Sequence, residues 1–177
     1  MRSYPILLGL ILATVISSLF IATTARPNEI NKNFIKAGYD DLSKDSKQQV
    51  DCLAENIYHE AKSEPVKGQI AVALVTINRV VDDRFPKDIC LVVKQRTKSG
   101  DRIICQFSWH CMKVRLNRNS ETYQQVLKRA IHVYLNYNLI DDFTKGSLYF
   151  HADHVNPRWN LRKTVQIGRH IFYTQGG

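Results

Sequence analysis

Between Arg2 and Arg26 the chain carries no charge anywhere along Ser3–Ala25. A run of that length crosses a hydrocarbon core of about 30 Å as a helix, whereas a soluble helix of the same length keeps a polar face. The segment PILLGLILATVISSLFIATTA therefore predicts a signal peptide or signal-anchor helix over residues 1–25, with residues 4–25 in the inner membrane. Arg2 and the α-amino group hold the N-terminus in the cytoplasm, so everything after the run is exported to the periplasm or cell envelope. Thr23-x-Ala25 offers small residues for cleavage, and the Ala, Ser and Thr of the second half make a weak anchor. Cleaved and retained forms both stand at this point.

Export changes the meaning of the four cysteines, Cys52, Cys90, Cys105 and Cys111, all of which follow the run. An even count in an oxidising compartment reads as two disulfides, with three possible pairings. Cys105 and Cys111 are close in sequence, which favours Cys105–Cys111 with Cys52–Cys90. No CxxC pair supports a metal reading.

Residues 26–42 show no period and read as a linker, leaving one folded domain over 43–177. Ser43 or Asp45 is placed to cap a helix reaching about Lys62, with Val50, Leu53, Ala54, Ile57 and Ala61 on one face. Pro65 ends it. Gly68 precedes QIAVALVTINRVV, apolar around most of its girth and so expected in the middle of the core. Asp88 is placed to cap a short helix through Val93, and residues 96–112 read as a polar and aromatic loop. Ser120 begins a third long helix to about Tyr137, with Tyr123, Val126, Leu127, Ala130, Tyr134 and Tyr137 inward. After Gly146, SLYFHA and TVQIGRHIFY are rich in β-branched and aromatic residues and look like strands. The expected fold class is α+β, a mainly helical body with a small C-terminal antiparallel sheet.

The net charge of +9 calls for an acidic partner. No phosphate-cradling glycine loop occurs. Lysines and arginines are scattered rather than gathered on one helix, and export removes the chain from nucleic acid, so nucleic acid is not an expected partner.

Glu60 is the most informative side chain. It lies three after Ile57 and seven after Leu53, on the buried side of the first helix and near its C-terminal end. Lost hydration and the negative end of the helix dipole both raise the pKa of a carboxyl there. A carboxylic acid still protonated near neutral pH is what a glycosidic oxygen needs from its general acid. The bland alternative is a Glu60 paired with Lys62, Lys67 or an arginine. His59-Glu60 would begin HExxH, but Ser63 stands where the second histidine belongs, so that motif fails. His151-Ala152-Asp153-His154 is a second metal temptation. In a strand, however, His151 and Asp153 point one way and His154 the other, and two ligands rarely hold zinc; neither metal nor cofactor is expected. Sugars need aromatic faces and hydrogen bonds. Gln106 and Trp109 in the loop between Cys105 and Cys111 supply those, as do Tyr149, His151, Asn156 and Trp159.

Three ordered segments resemble one known family, the cell-wall hydrolases of the spore-cortex-lytic SleB type. They are CLAENIYHEAKSEPVKGQIAVALVTINRV (Cys52–Val80), CQFSWHC (Cys105–Cys111) and HADHVNPRW (His151–Trp159) followed by IGRHIFY (Ile167–Tyr173). The resemblance covers roughly residues 52–175. It implies a fold similar to lysozymes and lytic transglycosylases and cleavage of the bond between N-acetylmuramic acid and N-acetylglucosamine in peptidoglycan glycan strands. It places the catalytic acid on Glu60, and His151, Asp153 and Asn156 near the substrate groove. Lys62 and Ser63 depart from the family's Arg-Gly, and Phe150 and His154 from its tyrosines; Lys62 keeps the charge but loses bidentate recognition.

A classical hydrolase needs a second carboxylate, and only Glu64 and Asp153 offer themselves. Transglycosylation avoids that need, because the sugar's own C6 hydroxyl attacks C1. Competing functions are a metal-dependent peptidase or amidase using His151, Asp153 and His154, and a non-catalytic wall-binding module tethered to the membrane. A small exported enzyme of this kind suits a phage endolysin and a bacterial wall-remodelling enzyme equally.

Overall fold

The structure is a computed structural model describing residues 38–112 and 114–176. The apolar run of residues 1–25 and most of the expected linker lie outside the described residues. Among the described residues no helix is long and apolar enough to cross a membrane.

Helix α1 (Lys44–Ala61) starts at Ser43, whose hydroxyl accepts from the Ser46 amide at 3.1 Å. Its apolar stripe Val50, Leu53, Ala54, Ile57 and Ala61 is buried throughout. Helix α2 (Val66–Val81) follows with Pro65 as its N-cap, so Gly68 lies inside the first turn instead of ahead of the helix. Pro65 separates the two helices: its ring opposes continuation of α1, and its φ of −54° leads into α2.

The apolar girth of α2 is explained by two packing surfaces. Val72, Ala73, Leu74 and Ile77 join the core shared with α1, while Ala71 and Val75 meet Ile167 and Phe172 of the sheet. Helix α3 (Ile89–Val93) is capped by Asp88, which accepts from the Leu91 amide at 2.8 Å. Gln49 locks it to α1, accepting from the Ile89 amide at 2.9 Å and donating to Asp88 at 2.6 Å. The Cys52–Cys90 disulfide joins the same two helices.

Residues 96–112 are not a loop. They form a hairpin, β1 (Arg96–Ser99) and β2 (Arg102–Cys105), turning at Gly100 with φ +59°, and then a short helix α4 (Ser108–Met112). Helix α5 (Glu121–Asn136) is capped by Ser120 and buries Tyr123, Val126, Ala130, Ile131 and Val133. Tyr137, expected inward, caps the helix end and is exposed.

The C-terminal sheet is antiparallel with order β3-β5-β4, where β3 is Tyr149–Ala152, β4 Leu161–Ile167 and β5 His170–Gln175. TVQIGRHIFY is thus a hairpin, reversed at Gly168, whose φ of +57° suits glycine. The register pairs Tyr149 with Tyr173 and Phe150 with Phe172. Alternation sends Phe150 and Phe172 to the helical body and leaves Tyr149, His151 and Tyr173 on the outer face. The α+β reading therefore stands. The body also begins before residue 43, since Tyr39 and Leu42 pack on the core and the Tyr39 hydroxyl donates to Asp51 at 2.9 Å.

Candidate active site

Glu60 sits one turn past Asn56 on α1, half-buried in the last turn of the helix. Burial pushes its carboxyl from the ordinary range up to about 7, and the positive charge of Arg79 restrains that rise. A group with that balance exists as acid and as carboxylate near neutral pH.

The segment between Cys105 and Cys111, closed by their disulfide, supplies the neighbouring wall. Trp109 Nε1 donates to Asn56 Oδ1 at 3.2 Å, and Asn56 in turn donates to Thr76 on α2 at 3.1 Å. Asn56 is fully buried, so these bonds satisfy an amide that would otherwise be costly to enclose. They fix the indole over His59, with ring centroids 4.5 Å apart and planes 19° from parallel. His59 is held below the usual histidine range, chiefly by burial and then by Lys62.

Gln106, expected as a sugar contact, is held against Arg79. With its amide oxygen turned to the donors, it accepts from both terminal nitrogens of Arg79, at 3.0 and 3.1 Å, leaving its NH2 group free to donate. Both cysteine pairs are joined as the sequence favours.

The outer face of the sheet carries the second group of expected residues. His151 and Tyr173 rings stack at 5.1 Å, and Trp159 meets His151 at 5.5 Å, Tyr173 at 5.8 Å and Tyr149 at 6.3 Å. His151 Nδ1 lies 2.8 Å from the Ala152 carbonyl, which only accepts, so Nδ1 carries the hydrogen. In neutral His151 the Nε2 atom then accepts from the Tyr173 hydroxyl at 2.9 Å. Tyr149 links this wall to the first cluster, since its ring lies 5.7 Å from the Arg79 guanidinium.

Asp153 and Asn156 stand apart. Strand β3 ends at Ala152, so Asp153 lies in a turn and does not share the strand alternation with His151. It is exposed, 3.6 Å from His154 and 3.9 Å from Arg169. Asn156 is exposed in the connection to β4. Glu64 is engaged elsewhere: Oε2 accepts from the Arg169 amide at 2.9 Å, bracing the β4–β5 turn against α2. Among the described residues no three histidine, cysteine, aspartate or glutamate side chains gather as metal ligands.

Sequence reasoning passed over Arg79, Asn56 and Tyr173 as site residues. Arg79 had one signal: a lone cation three residues after Thr76, on a helix otherwise apolar on that side.

Comparison with known proteins adds to this geometry. The family described as Cell Wall Hydrolase matches residues 63–173, so Glu60 falls just ahead of the matched stretch. The spore cortex-lytic enzyme of Bacillus subtilis (strain 168) is 26% identical over 132 residues, 72% of this chain and 38% of that enzyme. The chain thus spans less than half the length of that relative. Among solved structures, the catalytic domain of the Bacillus cereus SleB protein is similar with TM-score 0.53 and 25% identity, covering 72% of this chain and 91% of that one. The catalytic domain of the germination-specific lytic transglycosylase SleB from Bacillus anthracis gives TM-score 0.55 and 25% identity, covering 76% and 98%.

Proposed function

The chain belongs to the cell wall hydrolase family, and from that premise we propose that it cleaves peptidoglycan glycan strands between N-acetylmuramic acid and N-acetylglucosamine, with Glu60 as acid and then as base. The observation that carries the reading is the half-buried Glu60 carboxyl, whose pKa of about 7 keeps a transferable proton at neutral pH.

In the first step the Glu60 proton passes to the bridging oxygen as the C1–O bond breaks, and N-acetylglucosamine leaves as an alcohol. Positive charge develops at C1 of muramic acid. In the second step the C6 hydroxyl of the same sugar attacks C1 and returns its proton to Glu60. Bonds broken and formed balance without water, and the product is a 1,6-anhydro sugar. Intramolecular attack supplies the effective concentration that a separate nucleophile would otherwise need.

This route asks for one carboxyl group, which suits a site built on Glu60. Glu64 is hydrogen-bonded at the β4–β5 turn, and Asp153 is exposed beyond the end of β3. The bacillary neighbour whose structure is described as a lytic transglycosylase supports the same choice. The aromatic wall of Tyr149, His151, Trp159 and Tyr173 suits the apolar faces of successive sugars. An enzyme with this substrate works in the cell envelope, which fits export directed by residues 1–25.

The test is digestion of purified sacculi by the full chain and by its E60Q variant, with fragments identified by mass spectrometry. The expected result is 1,6-anhydromuramic ends from the wild type and a rate about 10²–10⁴-fold lower from E60Q. Reducing muramic ends would replace transglycosylation by hydrolysis. Full activity in a folded E60Q would remove Glu60 from the chemistry.

A further inference from the structure

Arg79 is a cation only 2% exposed. Enclosing a guanidinium costs free energy unless its donors are met, and here three segments distant in sequence converge to meet them. Nε donates to the Leu148 carbonyl at 2.7 Å, just ahead of β3. The terminal nitrogens donate to the Gln106 amide oxygen in the disulfide-closed loop. The rings of Phe85, Phe107 and Tyr149 surround the cation at 5.4, 5.3 and 5.7 Å. None of these partners is a carboxylate. The hydrogen bonds hold the guanidinium in place without cancelling its charge.

The loop that grips Arg79 also reaches the last turns of α1. Gln106 and Phe107 lie on the guanidinium, while Trp109 lies on Asn56 and His59, the residue next to Glu60. Helical side chains lean toward the N-terminus of their helix, so Arg79 reaches back from the end of α2 past Thr76, which is tied to Asn56. Arg79 is the charge that acts on Glu60, and Glu60 and Tyr149 are the titratable groups that act on Arg79. The nearby cation Lys62 caps α1 and lies over the Tyr58 ring, 4.5 Å from its centroid.

We infer that Arg79 is a positioning residue for the reaction, a fixed cation clamped by the disulfide-closed loop and the sheet so that both the acid and the carboxylate forms of Glu60 are within reach in one turnover. The inference rests on the reading of Glu60 as the acid. Burial alone would leave Glu60 a reluctant donor, since the carboxylate formed after proton transfer would have nothing to stabilise it. Arg79 supplies that counter-charge without a direct ion pair that would hold the carboxylate ionised from the start.

The experiment is the pH–rate profile of the full chain on purified sacculi for wild type, R79Q, R79K and Q106E. Removing the charge in R79Q moves the alkaline limb upward by about one pH unit, because an opposite charge no longer favours the ionised form. Its maximal rate falls by about tenfold or more, since the carboxylate left by proton donation loses its partner. R79K keeps the charge, and its limb stays close to that of the wild type. Q106E changes an exposed position and sets a carboxylate on the guanidinium; its limb also moves upward. Profiles of R79Q or Q106E that keep the wild-type limb and differ only in height would overturn the proposal and leave Arg79 a structural strut. An unmoved limb alongside an inactive E60Q sinks the Arg79 inference alone, whereas an active E60Q sinks the acid assignment beneath it.

Discussion

Glu60 ties stability to pH in a direction opposite to most carboxylates. Its pKa in the folded chain is about 7, above the ordinary value, so the folded state holds a proton that the unfolded state releases. The associated stabilisation is fully present below the ordinary carboxylate pKa and disappears as pH rises through about 7. E60Q keeps the shape and removes the ionisation. It should match the wild type at pH 4 and exceed it at pH 8, by on the order of 2 kcal/mol. The buried or half-buried rings of His59, His110 and His170, each held below the usual histidine range, titrate alike in both proteins, so the difference isolates Glu60. Urea midpoints at the two pH values measure it. Equal midpoints for both proteins at pH 8 would mean a carboxyl already well solvated.

The two disulfides divide labour between elements. Cys52–Cys90 spans 38 residues and staples α3 to α1, while Cys105–Cys111 spans 6 and shapes the loop carrying Gln106, Phe107 and Trp109. By loop-closure entropy the first contributes about 4 kcal/mol and the second about 2. Replacing Cys52 and Cys90 by alanine should therefore lower the unfolding midpoint more than replacing Cys105 and Cys111. The activity order should invert, because the small loop holds Arg79 and Trp109. A loop variant with wild-type turnover would detach that loop from the site. What the sequence disclosed follows the same division. Helices α1, α3 and α5 were legible because a capping side chain and an apolar stripe are local signals. The β1–β2 hairpin was missed because nearly all of its residues are exposed, so no alternation marks a buried face. The half-buried placement of Glu60 was legible from spacing against Leu53 and Ile57. Arg79 was not, because its role depends on Leu148, Gln106 and Tyr149, which only the fold brings together.

At the scale of the whole molecule, the +9 charge suits the proposed substrate, a polymer whose peptide stems carry carboxylates. Part of that charge borders the aromatic wall: Lys163 pairs with Tyr173 across β4 and β5 and so shares the outer face with His151, and it is exposed. Exposed charges contribute little to stability, so their effect belongs to encounter with the polymer. Attraction of that kind is felt over roughly 10 Å at 0.1 M salt and about 3 Å at 1 M. The rate at limiting sacculus concentration should then fall several-fold as ionic strength rises, with the saturated rate little changed, because screening touches approach and not proton transfer. K163E should start from a lower rate at low salt and show a shallower decline, converging with the wild type at high salt. Turbidity clearance of sacculi across a salt series reads all three features. Parallel curves for K163E and wild type would move the steering charge away from this face, and a flat wild-type curve would leave the basic composition without a part in finding the wall.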